Sequence, residues 1–290
     1  MEAIAVQALQ GLTFGTTLFL VAAGLSIIWG LMNILNFTHG TLYALGAYLG
    51  LVVFGLTGGN FWAALLAAFV SVAGVGAALE IVALRRLFGR DPLYYFLLTF
   101  GLTFVLTEIL RLIWGDDFLG LPVPAALEGS LHVGIIFPLY RLFVIGVSGA
   151  VALGVWLLLT RTNFGLLLRA GTQNPEMVSV LGTNIQTIYT LGFALGSGLA
   201  GLAGVLVAPL TGLSPQMGVD LLLQAFIVVI IGGLGSFRGA AVASLLVGEI
   251  YAFGIRIAPS FSMLLIYAAM ILVLLIKPSG LFVEGAGREA

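Results

Sequence analysis

Long apolar runs, each close to the length of one membrane crossing, dominate the pattern along this chain. A helix needs about 20 mainly apolar residues to cross the hydrocarbon of a bilayer. Runs of that kind occupy 9–30, 36–54, 61–84, 93–114, 139–160, 187–210 and 260–276. No Asp, Glu, Lys or Arg stands between Glu2 and Glu80, and 142–160, 177–219 and 257–276 are equally bare. Residues 220–256 are also apolar, but Gly232-Gly233-Leu234-Gly235-Ser236-Phe237-Arg238-Gly239 interrupts them. The pattern predicts an all-α, polytopic membrane protein with about eight segments, one of them a broken helix hairpin.

Composition strengthens that reading. The chain is 61% hydrophobic and 8% charged, against about 25% charged in a soluble domain. A folded soluble chain could not cover itself with water-compatible surface from so few polar groups. A net charge of −1 provides no basic footprint for nucleic acid. The absence of cysteine excludes disulfides, thiolate metal sites and a cysteine nucleophile. The single lysine, Lys277, is followed by Pro278 and Ser279, so no phosphate-binding Gly-x-x-x-x-Gly-Lys-Ser/Thr loop exists and the chain cannot itself be a P-loop ATPase. The first apolar run lacks a basic leader and a cleavage pattern, and is expected to be retained.

Arginine positions set the sidedness. Arg85, Arg86 and Arg90 mark one cytoplasmic segment, Arg161 and Arg169 a second, and Lys277 with Arg288 the tail. Residues 115–138, with Asp116, Asp117 and Glu128, then lie outside. The N-terminus is expected outside and the C-terminus inside, so 211–277 must cross an odd number of times. Residues 220–256 are too short for two full spans with a turn. They fit two half-helices that enter and leave on one face, before a last full span. Irregular backbone at that depth must be enclosed by protein or line a cavity, which makes the break a functional candidate. Leu35-Asn36-Phe37-Thr38-His39-Gly40 can be laid on Leu234-Gly235-Ser236-Phe237-Arg238-Gly239, and paired interruptions point to a transporter site.

The breaks supply candidate passage residues: Asn33, Asn36, His39, Gly40, Gly232, Gly233, Gly235, Ser236 and Arg238. His39 and Arg238 either face a path or partner, or cap carbonyls and snorkel. Asn33 and Asn36 either bond a substrate or mend broken backbone. Other polar residues read as structural: Glu108 and Arg111 as an i,i+3 pair, and Asp220 as a helix N-cap. Glu249 has no local partner and is open to Arg256 or to a subunit. Gly192, Gly196, Ala200 and Gly204 form a small-residue stripe, suited to an internal seam or a subunit contact. Gly196-Ser197-Gly198-Leu199-Ala200-Gly201 mimics a dinucleotide fingerprint, but it sits within an apolar helix where no βαβ unit can form.

The long cytoplasmic segment 161–186 carries Asn174-Pro175-Glu176, a turn and helix start with Pro in the first turn and Glu at the positive end of the dipole. Met177, Val178 and Leu181 follow and are expected on one side of a short helix. Such a helix either rests on the membrane or docks a partner.

Four ordered blocks resemble one family over nearly the whole chain. They are Gly24-Leu25-Ser26-Ile27-Ile28-Trp29-Gly30-Leu31-Met32-Asn33-Ile34-Leu35-Asn36-Phe37-Thr38-His39-Gly40, with Leu45-Gly46-Ala47-Tyr48 after it; Arg169-Ala170 with Asn174-Pro175-Glu176 and Leu181-Gly182; Gly232-Gly233-Leu234-Gly235-Ser236 with Gly239-Ala240; and Lys277-Pro278-Ser279-Gly280-Leu281-Phe282. The chain resembles the LivH-type permease subunits of branched-chain amino acid ABC importers. The resemblance implies a single permease domain over 1–290 without enzymatic activity, with a coupling loop at 161–186 and an interrupted element at about 220–256. It implies a second related permease, two cytoplasmic ATPases that hold ATP and magnesium, an extracytoplasmic binding protein, and a bacterial or archaeal cytoplasmic membrane. No cofactor is implied in this chain.

ABC importer permeases carry Glu-Ala-Ala-x-x-x-Gly on the helix that meets the ATPase. Glu176 and Gly182 stand at that spacing, with Met177 and Val178 in place of the alanines. The coupling residues so implied are Arg169, Asn174, Pro175, Glu176, Met177, Val178, Leu181 and Gly182. The implied cargo is a branched-chain amino acid, moved by alternating access. Two other classes remain open from the residues: a self-contained channel or facilitator for a small polar solute such as urea, and a structural membrane subunit.

Overall fold

A computed structural model describes residues 2–132 and 136–282; Arg288, used above for sidedness, lies outside the described residues. The helices are α1 (Glu2–Met32), α2 (Thr38–Leu56), α3 (Phe61–Val82), α4 (Pro92–Trp114), α5 (Leu139–Arg161), α6 (Asn163–Gln173), α7 (Pro175–Val180), α8 (Ile185–Thr211), α9 (Met217–Gly232), α10 (Phe237–Ile257) and α11 (Ser262–Ile276). Two short antiparallel strands, β1 (Ser130–His132) and β2 (Ile136–Pro138), form a hairpin before α5. Among the described residues, eight helical segments are long and apolar enough to cross a membrane. They are the seven expected runs together with α10.

Side-chain caps decide where several helices begin. Asn60, Asp91, Thr162, Asn184 and Ser236 each accept a backbone N–H of the turn that follows, relieving donors that the first helical turn leaves unpaired. Within the spans, the hydroxyls of Thr13, Thr17, Thr99, Thr103 and Thr160 bond backward to the preceding turn, as Thr17 does to the Phe14 carbonyl at 2.8 Å. These bonds let polar side chains occupy apolar helices without an unpaired group.

α1 and α8 form the buried centre, and α4, α5 and α11 turn mostly exposed apolar faces outward. A helix that is apolar all round belongs in a protein core or in lipid. Glycine divides the two cases here. The small-residue stripe of α8 is an internal seam: Gly196 meets the Gly24 carbonyl of α1, and Gly204 meets the backbone of Tyr43 and Ala47 in α2. Close backbone approach through small residues is the usual means of packing helices in lipid.

The hairpin of α9 and α10 differs in proportion from two half-helices. α9 has 16 residues and α10 has 21, so only the first arm is short. α10 runs antiparallel to α1 along its whole length. Gly235 approaches Gly30 at one end, and Arg256 Nη1 donates to the Ala3 carbonyl at 2.6 Å at the other. The glycine-rich turn between the arms lies beside the tail after α11. Leu281 N donates to the Ile231 carbonyl at 2.8 Å, and Phe282 N to the Gly232 carbonyl at 2.9 Å. The chain's own tail therefore satisfies backbone that the turn leaves open.

The deeper interruption is the other one. Residues 33–37 fold back after α1, and α2 starts against the middle of that helix: His39 Nε2 lies 3.0 Å from the Val21 carbonyl. Val21 is 11 residues before Met32, about 16 Å along the helix axis.

Candidate functional site

Two of the cavities among the described residues open at opposite ends of the bundle. The inner one, about 1090 Å³, lies on the side of the arginine-bearing segments, between the ends of α1 and α5, helix α6 and the α9–α10 turn. Trp29, Asn33, Arg169, Thr172, Gly235 and Arg238 are among its lining residues. The outer one, about 510 Å³, is bounded by α1, α2, the start of α5, the end of α8, α9 and α10. Along α1, Thr17 lines the outer cavity and Ser26 the inner one. The residues between them, Leu18 to Leu25, are all buried, a closed layer of about 13 Å at 1.5 Å per residue.

The structure gathers only part of the predicted passage set. Asn33, Gly235 and Arg238 share the inner cavity. Asn36 and His39 are fully buried instead, in the packing of α2's start. Gly40 abuts the Gly218 backbone of α9. Gly232 packs on the Gly239 backbone, Gly233 on the Phe282 carbonyl, and Ser236 Oγ caps Gly239 N at 3.0 Å. These residues build the breaks and do not line either cavity. Asn36 contributes both amide atoms, buried and without hydrogen-bond partners among the described residues.

Asn33 has φ +53, a left-handed conformation that asparagine tolerates and β-branched residues do not. Asn33→Gly should leave stability within a few tenths of a kcal/mol, whereas Asn33→Val should cost about 1–2 kcal/mol. Thermal unfolding of the detergent-solubilised variants would separate them; equal melting temperatures would contradict the argument.

The segment between α5 and α8 is a helix pair. α6 turns Leu168 inward, and Arg169 Nη1 donates to the Leu159 carbonyl at the end of α5. Arg169 thus belongs with the inner cavity rather than with α7. The expected turn and helix start are present: Asn174 Oδ1 accepts from Met177 N at 2.9 Å, with Pro175 at the first helical position. The far end closes at Gly182, whose φ is +85 and whose N–H donates to the Ser179 carbonyl at 3.0 Å. A left-handed glycine after the last turn is a common helix stop. The six-residue spacing from Glu176 to Gly182 is thus the length of one capped helix.

Met177, Val178 and Leu181 do not share a side. Val178 is buried, while Met177 and Leu181 are exposed together with Val180. Residues three and four apart share a helix face, and adjacent ones are about 100° apart. Inward contact with the bundle takes Val178, and the outward patch recruits Val180 in its place.

Two features lay beyond reading from the sequence. The fully buried Glu80 carboxylate receives Arg85 through Nη2 at 2.8 Å and Nε at 3.2 Å, and Thr190 Oγ1 of α8 at 2.6 Å. The lone acid at the end of an uncharged stretch was its sequence signal, but nothing in the pattern pointed to Thr190. The outer cavity was also missed; its charged lining residues are Arg141 and Asp220. Asp220 lies in the first turn of α9, which Gln216 precedes as the capping residue, so the N-cap expectation fails by one turn. Glu249 does not meet Arg256, whose guanidinium turns to Ala3; the carboxylate lies against Gly11. The Glu108–Arg111 pair is present at 2.8 Å, and Arg111 also meets Asp116 at 3.0 Å.

Comparison with known proteins places these features in one context. Residues 7–274 match the family described as the permease component of branched-chain amino acid transport systems. The chain is 29% identical to the high-affinity branched-chain amino acid transport system permease protein BraD of Pseudomonas aeruginosa, over 95% of this chain and 94% of that one. It is 27% identical to the LivH permease protein of Escherichia coli, with the same coverage of both chains. A probable branched-chain amino acid transport permease protein LivM of Methanocaldococcus jannaschii is 32% identical over 43% of this chain and 41% of its own. No solved structure matches the chain.

Proposed function

Because the chain belongs to the family of branched-chain amino acid transport permease components, we propose that it is one of two related permeases in an ATP-driven importer of the bacterial or archaeal cytoplasmic membrane. As a multi-pass permease subunit, it makes and breaks no bond in this reading. The proposed cargo is a branched-chain amino acid, delivered by an extracytoplasmic binding protein. Two cytoplasmic ATPases supply the energy and hold ATP and magnesium. The partial similarity to a protein named LivM supports a second, related permease beside this one.

The observation that carries the reading is α7. It is capped at both ends by Asn174 and Gly182, and it presents Met177, Val180 and Leu181 outward on the side of the arginine-bearing segments. A short rigid helix seated in an ATPase groove converts nucleotide-driven closure into movement of α5 and α8, between which it lies in sequence. Transport then alternates: the layer between Thr17 and Ser26 opens toward one cavity as it closes toward the other. Sparse charge suits a passage in which the binding protein makes the selection.

Glu176→Lys tests the coupling. In proteoliposomes holding the complete complex, uptake should fall about tenfold or more, the scale of losing about 1.4 kcal/mol at a docking interface, while insertion is unchanged. ATP hydrolysis should no longer rise when cargo-loaded binding protein is added. Wild-type uptake with normally stimulated hydrolysis would refute the role of α7.

A further inference from the structure

We propose that the outer cavity holds an amino acid as its zwitterion. Arg141 receives the α-carboxylate, Asp220 receives the α-ammonium, and Val207, Leu210 and Leu221 receive an apolar side chain. The assignment rests on the amino-acid cargo proposed above and gives that cargo a site.

Four observations converge on it. The cavity, about 510 Å³, lies within the range of small-molecule sites, about 300–1,000 Å³. Its charged lining residues are one cation, Arg141, and one anion, Asp220. Among the described residues the ion pairs are Glu80–Arg85, Glu108–Arg111 and Arg111–Asp116; Arg141 and Asp220 pair neither with each other nor elsewhere. Charges of both signs that line one cavity from two helices, α5 and α9, without pairing suit a ligand that is neutral overall and charged at two points. A simple anion would meet Asp220 and a simple cation Arg141, each repelled by a like charge.

Gln224 supplies the independent observation. It lines the same cavity and is only 8% exposed, yet its Oε1 makes no hydrogen bond among the described residues. Its Nε2 has only a long contact with Met263 Sδ at 3.7 Å. A buried amide oxygen left unpaired costs free energy unless something donates to it. A rotation of the Gln224 amide toward an ammonium held at Asp220, four residues earlier on α9 and therefore on the same helix face, supplies such a donor. Thr13 and Thr17 differ: each already donates its hydroxyl to an α1 carbonyl.

The cysteine-free chain allows a direct test. Ser214→Cys places one thiol on the cavity wall, and its labelling by a membrane-impermeant maleimide is followed in cells carrying the complete transporter. Leucine should slow labelling. Isopentylamine, which lacks the carboxylate, and 4-methylpentanoate, which lacks the ammonium, should each protect about tenfold less effectively, the scale of one hydrogen bond to a charged group. With Arg141→Gln, leucine should protect no better than isopentylamine but still better than 4-methylpentanoate. With Asp220→Asn the reverse should hold. If Ser214→Cys does not insert, Thr211→Cys on the same wall serves. Equal protection by all three compounds in the parent, or an undiminished advantage of leucine in both charge variants, overturns the site. Leucine uptake in the same cells separates the two readings. Uptake without protection overturns the site alone, protection without uptake overturns the import reading, and loss of both overturns both.

Discussion

Gly218→Val is expected to abolish transport and to leave little correctly folded chain in the membrane. α2 and α9 cross where Gly218 meets Gly40. A Cβ on Gly218 would stand 2.0 Å from the Gly40 carbonyl oxygen, and one on Gly40 would stand 2.2 Å from the Gly218 carbonyl oxygen. Both obstacles are backbone, so no side chain can rotate aside. The helices must separate by more than 1 Å to reach ordinary van der Waals distance. α2 is pinned by the α8 seam, and α9 by its packing on α1 and α10, so separation breaks contacts elsewhere. Overpacking costs about 1–3 kcal/mol even where side chains can adjust, and a backbone obstruction belongs at or above the top of that range. Gly149→Ala in α5 is the control, since nothing lies within 4 Å of its added Cβ. Alanine there should be neutral or stabilise by up to about 1 kcal/mol. Membrane yield, monodispersity after solubilisation and thermal stability would be compared; near-parental values for Gly218→Val would show that the crossing is looser than described.

Arg85→Ala is expected to cost about 3–5 kcal/mol, the range for removing one partner of a buried ion pair. Glu80 is wholly buried while the Arg85 side chain retains 28% exposure, so the two partners are not equivalent. Without Arg85 the carboxylate keeps only the Thr190 hydroxyl. Without Glu80, Arg85 can turn toward water. Glu80→Gln should therefore be milder, about 1–3 kcal/mol, because its amide still meets Arg85 and Thr190. Combining Arg85→Ala with Glu80→Ala should recover part of the loss, since no unpaired charge stays buried. Melting curves of the two single variants and the double variant provide the cycle. An additive double variant would mean that the pair is not coupled. Thr190 lies in the first turns of α8, just after the α7 cap, so the same substitution should also slacken the link from α7 to α3 and lower uptake per inserted molecule.

Much of the fold was legible because lipid imposes a simple requirement. Backbone groups need internal partners, so each crossing is a helix and each helix appears as an apolar run. Seven runs could be placed for this reason, six of them within a few residues at both ends, while α1 begins seven residues before its run. The start of α7 was legible for another: Asn174 and Pro175 each suit one position at a helix beginning, whatever surrounds the helix, whereas Gly182 was marked only by the family motif. The small-residue stripe was visible as a contact surface, but its partner was not, since glycine tells only that something comes close.

Seven of the apolar spans and the start of the helix between α5 and α8 were thus determined by the sequence itself, through hydrophobic length and local capping. Tertiary structure alone decided which interruption lies deep, because depth depends on what each break packs against. His39 reaches the middle of α1, whereas the Gly233–Ser236 turn lies on the chain's own tail. It alone joined Glu80 to Thr190, 110 positions apart, and set Arg141 and Asp220 on one cavity. Such pairings arise from helices crossing at particular points. No period or spacing in a linear pattern records where those crossings occur.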